Sequence, residues 1–127
     1  METITNNIGE ITLILLSFRD EIKIYHWNTH IYARHKATDK LLKSLTELID
    51  KFVEVLQGSR NERISINSQT KLKTYSDTEI NRLLDAFTQW LSNKLDHFLK
   101  PNETDLRNIR DEMLAIINQT KYLFTLN

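Results

Sequence analysis

The sequence predicts an all-α fold, a four-helix bundle made of two antiparallel hairpins joined by a long crossover. Three observations predict it. The 127 residues include only two Gly and one Pro, far fewer turn-forming residues than a strand-rich fold needs. The apolar residues recur at spacings of three and four, the period of a helix face. The few breakpoints fall in three places and leave four helical segments within one domain spanning residues 1–127.

The first segment covers about residues 5–29, with Ile8, Ile11, Leu15, Phe18, Ile22 and Tyr25 on one face. The second covers about residues 37–57. Leu41, Leu45, Leu48, Phe52 and Val55 form its stripe, and Gly58 is the expected stop. Residues 59–75 are polar and irregular and read as a long connection. The third segment, about residues 76–99, opens with Ser76 and Glu79 at capping-box spacing. Its face is Ile80, Leu83, Phe87, Trp90, Leu91, Leu95 and Phe98, and Pro101 ends it, with Lys100 in the last turn. The fourth, about residues 102–125, carries Glu103 and Asp105 in its first turn and presents Leu106, Ile109, Met113, Ile116, Thr120 and Leu123.

The links set the topology. Those near residues 29–36 and 100–102 are short, so each joins an antiparallel pair. The middle link has about 17 residues, and an extended chain covers roughly 3.3 Å per residue. A helix of ~20 residues is about 30 Å long, so this link can run the length of the bundle. Two hairpins joined in that way make the ferritin-like arrangement rather than a simple up-down-up-down bundle.

Composition narrows the function. The chain has no cysteine, which excludes a disulfide scaffold, a thiolate zinc site, an iron–sulfur cluster and a Cys nucleophile. Lys plus Arg and Asp plus Glu are each 17, so no basic excess points to a nucleic-acid partner. No run reaches the ~18 apolar residues of a spanning helix, so no membrane partner is expected. The start Met1-Glu2-Thr3-Ile4-Thr5 lacks the basic opening of a signal peptide, and a cytoplasmic or otherwise intracellular location is the expectation.

The chemistry-bearing residues gather early. Three of the four histidines, His26, His30 and His35, lie at the first hairpin. His35 and Asp39 are four apart, as are Asp50 and Glu54, and that spacing puts side chains on one side of a helix. On a wheel of about 100° per residue with His35 at zero, Asp39, Asp50 and Glu54 fall near 40°, 60° and 100°. The stripe from Leu41 to Val55 centres near 240°, away from this ribbon. Leu42, Ile49 and Val53 lie between the two, so the apolar arc is wider than one bundle face requires. Such an arc predicts a second burial event, most simply a partner subunit.

The two ligand pairs are centred roughly 22 Å apart along a helix. One chain cannot bring both to one metal ion. Two copies packed antiparallel about a two-fold axis near Ser44 and Leu45 can, giving two equivalent sites. His35 and Asp39 of one chain then face Asp50 and Glu54 of the other, and His26 completes the first half-site. Imidazole and carboxylate ligands suit iron, manganese or zinc. His30 and His97 read as unliganded, and Trp27 and Trp90 as core or interface packing. Lys36, Lys40 and Lys43 offer a competing use for the ribbon, as ion-pair partners of Glu47 and Asp39. The other reading from a different class is a non-catalytic structural or interaction bundle. A zinc hydrolase fits less well, because no separate general base or cleft can be named.

Tyr25-His26-Trp27-Asn28 followed by His35, Asp39, Asp50 and Glu54 resembles the metal-site signature of the Dps family, the mini-ferritins of the ferritin-like superfamily. The likeness covers about residues 10–57. It implies a homo-oligomer, a dimer at minimum and up to a larger shell. It also implies oxidation of Fe(II) to Fe(III) at sites between two-fold-related subunits, with iron stored afterwards. Carried over residue by residue, it makes His26, His35 and Asp39 ligands from one chain and Asp50 and Glu54 ligands from its neighbour. Trp27 becomes the candidate electron donor beside the iron. The interval from His26 to His35 is shorter than the family's, and no Lys-rich tail stands at either end to imply DNA binding. The stretch from Ala33-Arg34-His35-Lys36-Ala37 to Phe52-Val53-Glu54-Val55-Leu56-Gln57-Gly58 also resembles a small ferritin-like group encoded by large DNA viruses and phages, which implies a viral protein and adds the virion as a location.

Overall fold

A computed structural model of the chain describes residues 4–126. Among them the chain is all-α, with no strand. The helices are α1 (Asn7–Asn28), α2 (Tyr32–Arg60), α3 (Ile80–Ser92), α4 (Lys94–Phe98) and α5 (Thr104–Leu123). α3 and α4 take the place of the single third segment, which breaks at Asn93 (ψ −72°). Arg110 donates to the Leu91 carbonyl just before that break and to Asp96 just after it.

The other boundaries depart from the expected ones for local reasons. α2 starts five residues before the expected position, because the turn needs only Thr29 to Ile31. Ile31 is extended, and its carbonyl accepts the amides of Arg34 and His35. α2 also runs through Gly58 and stops at Asn61, which takes the left-handed conformation (φ 49°, ψ 48°). Asn visits that region at little cost because its short polar side chain bonds locally. α3 begins at Ile80 after a turn over residues 77–79, not at Ser76. The Glu79 carboxylate still reaches back to accept the Ser76 amide (3.3 Å) and hydroxyl (2.8 Å), half of the expected capping box. α5 starts at Thr104, two residues late.

Contacts at the helix ends give the direction of travel. Residues 61–79 leave the C-terminal end of α2 beside the start of α1, where Asn6 N–H donates to the Ser65 carbonyl (3.1 Å) and Thr5 meets Ser68. Farther on, the Lys73 amide donates to Glu21 (2.7 Å). Asp77 then accepts from Tyr25 and Thr29 at the far end of α1. The crossover thus climbs the length of α1. α3 descends, stacking Phe87 on Phe18 at 3.8 Å. α5 rises from Glu103, beside Arg60, to Phe124, whose ring lies 6.0 Å from Tyr25.

Asn6 fastens the crossover to the first helix. Its side-chain oxygen accepts the Gly9 amide (2.8 Å), capping α1, and the Ser65 amide (3.1 Å). Its side-chain nitrogen donates to the Arg63 carbonyl (2.8 Å). The approach is close enough that a Cβ on Gly9 would stand 2.2 Å from the Ser65 carbonyl oxygen. Gly9→Ala therefore destabilises the protein by about 1–3 kcal/mol, although alanine is the better helix former. An unchanged denaturation midpoint would contradict this packing.

One continuous core joins all five helices. Every residue of the expected α1 face is buried. In α2 the buried set is Ala37, Thr38, Leu41, Leu42, Leu45, Ile49, Phe52 and Leu56, while Leu48 and Val55 are only half-buried. Leu42 and Ile49, taken as surplus apolar surface awaiting a partner, are thus spent inside the chain's own core. Only Val53 of that trio remains partly open. α5 buries Ile117 where Ile116 was expected, and Leu84 joins the α3 face. No helix of the described residues is long and apolar enough to cross a membrane.

Candidate metal centre

The centre begins where α1 ends and α2 begins. His26 lies in the last turn of α1, is 6 % exposed, and stacks on the half-buried His35 of α2 with centroids 3.9 Å apart and ring planes 16° apart. The short turn is the cause, because it returns α2 alongside α1 within a few residues. His35 donates its Nδ1–H to the His26 carbonyl (2.8 Å), which in the neutral ring makes Nε2 the lone-pair nitrogen. His26 Nδ1 sits 2.8 Å from the hydroxyl of Thr38, a fully buried residue of α2.

Neither Nε2 makes a hydrogen bond within the described residues. Arg34 Nε is the one fully buried side-chain nitrogen or oxygen among them without a partner. His26 Nε2, although its residue is buried, is not a fully enclosed unpartnered atom of this kind. Burial, aided by the charges of His35 and Lys23, lowers the pKa of His26 against the opposing pull of Asp39. The ring is neutral and able to act as a ligand at neutral pH.

The carboxylates sit as the helical wheel requires. α2 is one unbroken helix from Tyr32 to Arg60, so Asp39 follows His35 by one turn while Asp50 and Glu54 stand roughly 22 Å down the axis. Asp39, Asp50 and Glu54 are all exposed. No ion pair among the described residues involves any of them or Glu47, so the lysines beside the ribbon leave these carboxylates unpaired. The structure therefore brings His26 and His35 together, keeps Asp39 within electrostatic reach, and leaves Asp50 and Glu54 apart. Among the described residues no group of three His, Asp or Glu side chains is placed to hold a metal ion.

Trp27 does not pack in the core. It is 68 % exposed, with the Lys23 ammonium 5.3 Å from the ring centroid. Trp90 is half-buried, 5.5 Å from Phe87. His30 and His97 are exposed.

A polar cluster missed by sequence reasoning closes the far side of the same turn. Asp77 accepts from Tyr25 Oη (2.8 Å), Thr29 Oγ1 (2.5 Å) and the His30 amide (3.3 Å). Burial opposes its ionisation, but these donors together hold its carboxyl below the ordinary range. Arg34 donates to Tyr25 Oη (3.2 Å) and to the Asp77 carbonyl (2.6 Å), and its guanidinium lies 4.9 Å from the Phe124 ring. Tyr25 and Arg34 are the chain neighbours of His26 and His35, so this cluster fixes the two backbones that carry the imidazoles.

Comparison with known proteins gives kinship without a function. No solved structure matches the chain. An uncharacterised 14.6 kDa protein from the mobD-ri intergenic region of Enterobacteria phage T4 is 35 % identical over 103 residues, covering 80 % of this chain and 74 % of the phage protein. Residues 26–124 match the model of a family of unknown function, DUF5856, and that span runs from His26 through all five ligand candidates to the end of the last helix. The chain belongs to the DUF5856 family.

Proposed function

We propose that the protein is a ferritin-like metal-binding homodimer that takes up Fe(II) and oxidises it to Fe(III) at two sites, each shared between two-fold-related chains. The observation that carries this reading is the stacked His26–His35 pair, with two lone-pair nitrogens free, one helical turn from an unpaired Asp39. That is half of a hard-to-borderline site. The unpaired Asp50 and Glu54 supply the other half only from a second copy, because a straight α2 holds them too far away in the same chain. Manganese or zinc fits the same donors. The hairpin–crossover–hairpin path of the chain agrees with this class of bundle. A relative in a phage makes a viral role a natural setting.

Within such a site Asp39 and Glu54 are the direct carboxylate ligands, His26 and His35 the imidazole ligands, and Asp50 a ligand or a base beside them. Fe(II) is the substrate. Two ions each give one electron to one hydrogen peroxide, which takes up two protons and leaves as two waters (four ions and four protons for one oxygen), and the carboxylates balance the charge of Fe(III). Trp27, exposed beside His26, is placed to give an electron when metal and oxidant are out of step.

The second reading is a structural bundle without iron chemistry, and the absence of three converging ligands among the described residues of one chain favours it. Anaerobic Fe(II) titration by calorimetry, followed by peroxide with absorbance monitoring, separates the two. Saturable binding of one or two irons per chain with rapid Fe(III) formation is expected. Weak, unsaturable heats with no oxidation above buffer would leave the structural bundle.

A further inference from the structure

We infer that Thr38 is a positioning residue for the metal centre, its buried hydroxyl holding His26 in the Nδ1–H form so that Nε2 carries the lone pair. The inference rests on the metal-centre reading only for the use to which that lone pair is put.

Thr38 is 0 % exposed and lies on the core side of α2, where an apolar residue is the ordinary choice. Its Oγ1 is 2.8 Å from the Arg34 carbonyl oxygen and 3.1 Å from that of His35. Oxygens at that separation repel unless a proton lies between them, so the single hydroxyl proton is committed to the helix backbone. What Oγ1 then offers His26 Nδ1, 2.8 Å away, is a lone pair. A lone pair calls for a donor, and the donor is Nδ1–H. If His26 instead took the Nε2–H form, Nδ1 would face either a lone pair or a proton withdrawn from two close carbonyls.

His35 needs no such device, because a carbonyl can only accept and its Nδ1 must donate. Thr38 thus brings the second imidazole to the same tautomer as the first. The hydrogen bond on one ring nitrogen sets which nitrogen meets a metal ion, and such supporting bonds typically carry about 10–100-fold in affinity.

The test compares wild type with Thr38→Val, which keeps the shape and removes the hydroxyl, and with Thr38→Ser, which keeps the hydroxyl. Nitrogen-15 NMR of the metal-free proteins reads the His26 tautomer directly. Wild type and Thr38→Ser are expected in the Nδ1–H form, and Thr38→Val in a mixture or in the Nε2–H form. Fe(II) affinity is expected to fall about 10–100-fold in Thr38→Val and to return in Thr38→Ser. A wild-type His26 in the Nε2–H form overturns the inference, as does a Thr38→Val protein with the wild-type tautomer. If Thr38→Val does not fold, the wild-type and Thr38→Ser tautomers still decide it. Wild type that takes up no Fe(II) sinks the metal reading, and the tautomer still judges Thr38 separately.

Discussion

Asp50→Ala combined with Glu54→Ala is expected to abolish tight Fe(II) uptake, lowering affinity by at least about 100-fold, and to leave the bundle folded. Both residues are exposed and neither takes part in an ion pair among the described residues. Exposed substitutions of this kind usually move stability by no more than about 0.5 kcal/mol. Stability therefore cannot explain a loss of binding, and calorimetry beside circular dichroism checks both halves of the expectation. Unchanged Fe(II) heats would mean the ribbon serves another purpose. In that event dimer contact is tested at Val53→Asp. Leu42→Asp cannot serve, since Leu42 is 8 % exposed and its loss would strike the chain's own core.

Glu103→Ala is expected to cost about 3 kcal/mol, because it strands the largely buried guanidinium of Arg60. Glu103 is 3 % exposed and accepts from Arg60 Nε (3.1 Å) and Nη2 (2.7 Å), from Ser59 (3.1 Å) and from the Lys100 amide (2.7 Å). Arg60 also donates to the Phe98 carbonyl (2.9 Å) and lies 4.1 Å from the Phe98 ring. One ion pair thus ties the end of α2 to the turn between α4 and α5. The Arg60 guanidinium, with the Lys100 amide and Ser59, holds Glu103 down at about 2 against the opposing effect of burial, from an ordinary 4.5. A depressed carboxylate stabilises the fold fully above its unfolded-state value and loses that contribution as pH falls toward the folded one. Roughly 3 kcal/mol should therefore disappear between pH 4.5 and about 2. Denaturation midpoints measured across that window should fall in wild type and fall much less in Glu103→Ala. Parallel curves would contradict the assignment.

Helical spacing made the α1 face fully legible, because a helix buried along one stripe writes its period into the sequence. The long crossover was legible from arithmetic alone, since the length of a link limits its reach. The ends were harder. Gly58 is a common stop, but Arg60 is fixed by Glu103 from another helix, and Asn61 provides the left-handed exit instead. Asn93 breaks the third segment beside Asp96, Arg107 and Arg110, which are near it only after folding. The ribbon of His35, Asp39, Asp50 and Glu54 could be drawn on a wheel because its members share one helix. Thr38 and the Tyr25–Asp77–Arg34 cluster could not, because their meaning lies in partners on other elements. Thr38 did leave one signal, a hydroxyl within the apolar arc of α2. The surplus arc misled because bundle helices bury two adjoining columns of side chains, and Leu42 and Ile49 occupy the second.

If each metal site takes ligands from two chains, mixing subunits restores binding that neither parent variant shows alone. One variant carries His35→Ala and Asp39→Ala, the other Asp50→Ala and Glu54→Ala. Each alone is expected to bind no Fe(II) tightly. Co-expressed, they form mixed dimers in which one site has all its ligands and the other has lost both halves. Random assortment then restores about a quarter of the wild-type sites per chain. Recovery near that level supports a shared site. No recovery, from mixed dimers shown to have formed, would contradict it.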